Sequence, residues 1–282
     1  MLRSTLAVSL FALSTAPVLA DGHAGTTGYA LTDGGSTLLM MADIATPQAT
    51  AVTLDSPLRA IAWRPVTGTL IGYADGMMVE IDPATGALTD LGAAFMADAM
   101  IDGGAAVALD FNNAIDAVRA VSTAGDNLVY FPDGFGEEDE RANSVRRFTS
   151  LAYAEGDAMA GMTPMVFANA YTNAINGAVA GSTLQYALDA ETDALITLAN
   201  NDGTLATVAK VTVNGAEVDL TPMGGFDIYS PAEGTDMAYA VLQLEGAETA
   251  GLYMIDLTTG AATILADLGV GGVSGFAVSS GM

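Results

Sequence analysis

One phrase recurs along the chain and limits its fold more than any other feature: an apolar strand ending in Asp, a Thr-Gly turn, then a second strand. It reads Met78-Val79-Glu80-Ile81-Asp82-Pro83-Ala84-Thr85-Gly86-Ala87-Leu88 and returns as Leu252-Tyr253-Met254-Ile255-Asp256-Leu257-Thr258-Thr259-Gly260-Ala261-Ala262. Residues 184–195 form a looser copy. The chemistry is that of a tight hairpin, in which Asp accepts backbone N–H groups and Gly takes a positive φ that a Cβ would resist. A second phrase, two short strands joined by a tight turn, precedes these copies at 61–73, 108–121 and 225–241. Four strands per unit at a spacing of roughly 40–60 residues is the pattern of a propeller blade.

Counting such units gives about five. The first, Gly28-Tyr29-Ala30-Leu31 with Leu38-Leu39-Met40-Met41, lacks an innermost strand, and the chain ends on an unattached one, Gly275-Phe276-Ala277-Val278. These features predict an all-β chain: a β-propeller of about five four-stranded blades, closed by pairing of the C-terminal strand with the first blade so that no edge is left open. A β-sandwich or an open solenoid is the competing architecture. Helical periodicity is almost absent. Residues 137–148 are expected to form a short exposed helix, and 93–101 a single turn of one.

The N-terminus reads as a secretory signal. Arg3 supplies the positive charge, an apolar core follows from Leu6 to Leu13, and Val18 and Ala20 stand at the −3 and −1 positions of a cleavage site. That core is shorter than the ~20 residues a spanning helix needs. The expected division is a signal peptide at 1–20 cleaved after Ala20, a flexible mature N-terminus at 21–27, and a single propeller domain at 28–282. The expected location is periplasmic or extracellular. With no Cys in the chain, lipid attachment through a cysteine is excluded, and the fold does not rely on disulfides.

Charge narrows the partners. Against 33 acidic residues stand 8 basic ones, a formal net of −25, and Lys210 is the single lysine. Nucleic-acid binding needs clustered Lys and Arg, so no nucleic-acid partner is expected, and no segment after the signal is long enough for membrane insertion. A small molecule, a cation or an extracytoplasmic protein remains. The acids are scattered, which suits a hydrated surface, except for Glu137-Glu138-Asp139-Glu140.

At this point the chain resembles a known family. Ala60-Ile61-Ala62-Trp63-Arg64-Pro65 with Thr67-Gly68-Thr69-Leu70, Leu109-Asp110-Phe111-Asn112-Asn113 with Asp116 and Val118-Arg119, and Gly125-Asp126-Asn127-Leu128 resemble the uncharacterised bacterial family catalogued as domain of unknown function 4394. So do Ala170-Tyr171-Thr172-Asn173, Asn201-Asp202-Gly203-Thr204-Leu205, Gly225-Phe226-Asp227-Ile228 and the Leu257-Thr258-Thr259-Gly260 turn. The likeness runs in order over nearly the whole mature chain. It departs at Asn113, where the family usually has Pro, and in the acidic insert near Glu137. The resemblance implies an exported propeller-like domain and carries no established activity.

Most catalytic arrangements are missing. The chain has one His, His23, so neither a Ser–His–Asp triad within the folded part nor a zinc site of the usual His and Cys ligands can be built. Arg64, Arg119 and Trp63 are candidates for ligand binding at the top of the central channel, or for pairing between blades. Asp110, Asn112 and Asp116 offer oxygen ligands for Ca²⁺, or simply cap a turn. Met159, Met162 and Met165 offer thioethers, although core filling accounts for them better. The leading expectation is an exported, non-catalytic binding or interaction propeller. The alternatives are a metal-assisted or carboxylate-dependent hydrolase, lactonase or lyase in the central channel, and copper binding at the mature N-terminus.

That last reading is the most specific. Cleavage after Ala20 exposes Asp21-Gly22-His23, whose free amine, two amides and imidazole suit the tetragonal preference of Cu(II) and Ni(II). A one-equivalent Cu(II) site is expected in the mature protein, with affinity falling steeply as pH drops because two amide protons must leave. His23→Ala, or one residue added before Asp21, abolishes it; equal titration by all three proteins would place the copper on the acidic surface instead.

Overall fold

The computed structural model describes residues 25–280. Residues 1–20, read as a signal peptide, and Asp21, Gly22 and His23, read as a chelate, lie outside the described residues. The chain forms five antiparallel four-stranded blades around one axis. Blade 1 joins Gly275–Ser280 to Thr26–Thr32, Thr37–Met41 and Ala49–Thr53. Blade 2 runs Ala60–Arg64, Thr69–Ala74, Met77–Ile81, Leu88–Asp90, and blade 3 runs Val107–Asn112, Ala117–Ser122, Asn127–Phe131, Ser144–Arg147. Blade 4 is Val166–Tyr171, Gln185–Asp189, Ala194–Ala199, Thr204–Lys210, and blade 5 is Leu220–Ala232, Thr235–Leu244, Gly251–Ile255, Ala261–Asp267. The first strand named in each blade is the innermost, and these five pack against one another in a ring.

Five hydrophobic cores lie between neighbouring blades, not one at the centre. Phe111, Val118 and Tyr73 pack between blades 2 and 3, and Val121, Ile196 and Leu205 between blades 3 and 4. Phe226, Leu195 and Tyr253 fill the next gap, Tyr239, Leu252 and Phe276 the one after, and Tyr29, Trp63 and Leu70 complete the circle. Each inner strand therefore buries both faces, which is why segments such as Val166–Tyr171 carry no polar alternation at the surface.

The chain's two ends meet in blade 1, where Tyr29 stands opposite Ala277 and Thr26 opposite Ser280. The first strand thus begins at Thr26, and Thr26 and Thr27 are buried, not part of a flexible tail. Pairing extends that far because the partner strand continues to Ser280. Outer edges are covered by the incoming linkers: Ala94–Phe95, Ala152–Tyr153 and Thr212–Val213 each pair in parallel with the outer strand of the next blade.

The Asp–Thr–Gly phrase sits in the outermost hairpin of blades 2 and 5. Asp82 accepts the Ala84 N–H and Asp256 those of Thr258 and Thr259. Gly86 and Gly260 take positive φ and let the preceding blade's outer strand cross: a Cβ would stand 2.0 Å from the Thr53 carbonyl oxygen and 2.5 Å from that of Lys210. The looser copy occupies a different hairpin, between the second and third strands of blade 4, where Asp193 adopts the left-handed conformation in place of Gly. The helix expected at 137–148 does not form. Positive φ at Glu138 and Asn143 breaks the helical path, Arg141 folds back on Asp139, and Ser144–Arg147 is the outer strand of blade 3. Residues 93–101 likewise give the edge strand Ala94–Phe95 and turns.

Gly86→Ala and Gly260→Ala should each cost more than about 2 kcal/mol, combining a left-handed backbone penalty with overpacking. Gly246, also at positive φ but with open space around its Cβ position, should lose only about 1 kcal/mol on the same change. Urea midpoints of the three variants measure the difference.

Candidate functional site

The inner strands stack their side chains in levels down the axis. Asp110 accepts the Tyr171 N–H and Asp227 accepts the Val278 N–H, which places adjacent inner strands in a common register. Trp63, Asp110, Asp227 and Val278 surround the axis at one level. Two residues earlier in each strand, Ile61, Ala108, Asn169, Gly225 and Phe276 surround it at the level below, about 7 Å away. The acid level leaves no room for a water molecule, and the lower level encloses about 10 Å³, space for about one. Gly225 has to be glycine there, since a Cβ would lie 2.6 Å from the Phe276 Cβ.

Both carboxyl groups are buried. Burial, aided by the charge of Asp227, holds Asp110 well above the usual carboxylate range, and burial pushes Asp227 up to about 7 against the pull of its Val278 and Ile228 N–H bonds. Below them, Asn169 is fully buried and neither polar atom of its amide has a partner.

The channel is sealed on the carboxyl-terminal side of the inner strands. Residues 172–184, the loop between the first two strands of blade 4, cross over the mouth. Asn176 accepts a bond from Trp63 Nε1 at 3.2 Å and donates to Ser280 Oγ, and the Gly177 N–H donates to the Pro65 carbonyl. Asn113 donates its amide to the carbonyls of Asn173 and Ala178 at 2.9 and 3.1 Å. Asn113 is thus an anchor of this loop, a role that needs a side-chain donor.

The residues singled out in the sequence fall as follows. Arg64 makes a two-pronged pair with Asp116, linking blades 2 and 3. Trp63 stacks on Tyr29 at 6.0 Å and points its N–H at the loop. Arg119 is buried one strand out from the axis and binds the Tyr171 hydroxyl, Asn127 and Asn201. Asp110, Asn112 and Asp116 turn to different partners: Asp110 and Asn112 face blade 4 through Tyr171 and Thr183, while Asp116 faces Arg64 of blade 2. Met159 packs against the core between blades 3 and 4, and Met162 is exposed. Among the described residues, no three His, Cys, Asp or Glu side chains converge on a metal position. Sequence reading missed Asp227, Asn169 and the capping loop. The available signal was an Asp between apolar residues in two inner strands, Leu109-Asp110-Phe111 and Phe226-Asp227-Ile228.

Residues 38–277 match the family model described as Domain of unknown function (DUF4394). The chain belongs to this family. No curated protein matches it. Among solved structures, an auxiliary nutrient binding protein from Bacteroides ovatus is similar at 15% identity and a TM-score of 0.44, over 75% of this chain and 52% of that one. The extracellular domain of a putative one component system from B. thetaiotaomicron matches at 11% identity and a TM-score of 0.41, over 92% of this chain and 40% of that one. The chain spans about half the length of the nutrient binding protein it matches.

The axial acids give this DUF4394 protein an unusual pH dependence. Asp227 titrates near 7 when folded and near 3.8 when unfolded, so the folded state holds the extra proton between those values and stability falls as pH rises from about 4 to 7. Asp227 is the described group whose raised value falls inside this range. With EDTA present, the melting midpoint should rise by several degrees from pH 8 to pH 5.5. Asp227→Asn should flatten that slope, and an unchanged slope would assign it to other groups.

Proposed function

We infer that this DUF4394 protein is an exported, non-catalytic binding propeller that recognises its partner on the face built around the 172–184 loop. The observation that carries the reading is how this loop is held. Three neighbouring blades fix it through Asn113, Pro65, Trp63 and Ser280, so it is a rigid platform lying across the axis. Val179 and Leu184 on the loop are 57% and 47% exposed, and Ile115 in the adjoining turn is 48% exposed. Apolar side chains presented on a preorganised loop lower the entropy cost of association. The secretory pattern at residues 1–20 supports an extracytoplasmic setting.

The competing reading, a carboxylate-dependent hydrolase or lyase, would use Asp110 and Asp227, whose raised affinity for protons suits general acid work. Against it, the acids lie in a level too tight for water and beneath a pinned loop. A substrate would need the loop to leave.

A photo-crosslinker placed at Val179 in the native host should capture one reproducible extracytoplasmic partner, and Val179→Asp should weaken its binding at least tenfold without shifting the melting midpoint. Equal capture from a crosslinker at Gly246, which stands in open space in the turn after the second strand of blade 5, would argue against this face.

A further inference from the structure

We propose that the outer edge of blade 1, the strand Ala49–Thr53, pairs with the same strand of a second copy of this chain. Two propellers would then share one antiparallel sheet through their rims, a surface distinct from the loop face described above.

A strand edge presents unpaired N–H and C=O groups and invites another strand unless it is covered or charged. Blades 3, 4 and 5 do both. A linker pairs with the start of each outer strand, at Ser144–Val145, Thr204–Leu205 and Ala261–Ala262, and a charged residue ends it, Arg147, Lys210 or Asp267. In blade 2 the outer strand ends on Asp90, and the linker residue Asp55 donates its N–H to the Gly86 carbonyl.

Blade 1 has neither safeguard. Its incoming linker, 268–274, bonds to blade 5 instead: Leu268 N–H donates to the Ala250 carbonyl, and the Val270 carbonyl accepts Ala250 N–H. Among the described residues, Ala49–Thr53 ladders with Thr37–Met41 on one side and with no strand on the other. Ala49, Thr50, Ala51 and Thr53 are exposed. No charged residue occurs from Ile44 to Leu54. Pro47 limits the edge before Ala49, and the Thr53 carbonyl lies against Gly86 of blade 2, so Ala49–Val52 is the open part.

The edge itself selects the occupant. What pairs with an uncovered edge must bring an uncovered edge of its own, and every copy of this chain brings this one. Antiparallel pairing about a two-fold axis at Ala51 sets Thr50 opposite Val52 of the second copy, and the symmetry makes that β-branched pair twice. Each copy carries a net charge of −25, so approach is tolerable only through a segment without charge. The same symmetry uses up both edges, and growth stops at two. A short edge working against mutual repulsion gives a weak dimer. Salt strengthens it, since the screening length falls from about 30 Å at 0.01 M to about 3 Å at 1 M.

The test is sedimentation of the full-length protein over a concentration series at about 0.01 M and about 1 M NaCl. A monomer–dimer equilibrium is expected, with Kd at least tenfold tighter at high salt. Ala51→Lys lowers the net charge and hence the bulk repulsion, yet it should weaken the dimer at least tenfold, because two lysines meet at the axis. Its melting midpoint should not move, since Ala51 is exposed. Ile264→Lys, at a 50% exposed position on the outer strand of blade 5, should dimerise like the parent. The chain has no Cys, so Ala51→Cys supplies one thiol per copy. Opposed Cα atoms of an antiparallel pair stand about 4.5–5.5 Å apart, and mild oxidation should link two copies of Ala51→Cys but not of Ile264→Cys. A parent that stays monomeric at both salts, an Ala51→Lys variant that dimerises as tightly as the parent, or equal cross-linking from both thiols would overturn the pairing.

Discussion

A carboxylate reaching across from one blade to the backbone of the next is the interaction on which the centre of this protein depends. Inner strands of neighbouring blades share no hydrogen-bonded ladder, since every ladder runs outward within its own blade. Asp110 on Tyr171 and Asp227 on Val278 supply the missing registration at two of the five junctions. They fix the height of each inner strand, and the levels of side chains along the axis follow from that height. The cost is two acids held in a place that disfavours their charge.

The scarcity of basic residues sharpens the same logic. With only 8 Lys and Arg in the chain, several are spent on connections between blades and linkers. Arg59 gathers the carbonyls of Ile101, Asp102 and Ala105, and Arg147 those of Asp98 and Met100, so each guanidinium gathers the chain that enters blade 3. Five donors in a rigid fork suit that task better than a lysine would. Among the described residues, none forms an ion pair with Asp110 or Asp227. An acidic surface and an unneutralised acidic axis therefore arise from one composition.

The capping loop separates the centre from the outside. Two-residue and four-residue connections join the first two strands of the other contiguous blades, but blade 4 inserts residues 172–184 and lays them over the mouth. This converts a channel into a closed core with a platform above it. The exposed face of the loop and the buried acids of the axis thereby lie in different compartments of the same ring.

Much of the ring was legible in the residues themselves. The Asp–Thr–Gly turns announced hairpins because only Gly permits both a positive φ and the crossing of Thr53 or Lys210 against the turn. Short apolar runs bounded by turn residues announced strands, and their recurrence announced blades. The reading failed at 137–148, where local sequence suits a helix but the fourth position in blade 3 calls for a strand at Ser144–Arg147. The looser repeat falls in a different hairpin from the other two copies, since local chemistry encodes a turn and not the turn's position in a blade.

The site was out of reach for a further reason. Asp110 and Asp227 are 117 positions apart, and Asn169 lies between them in the chain, so nothing local reveals that they share an axis. The sequence by itself determined the strands, the turns, the blade repeat and the acidic character, because those rest on neighbours along the chain. Which side chains meet at the centre, which loop covers them, and that Arg64 and Arg119 bridge blades were decided only when the ring brought distant inner strands into register.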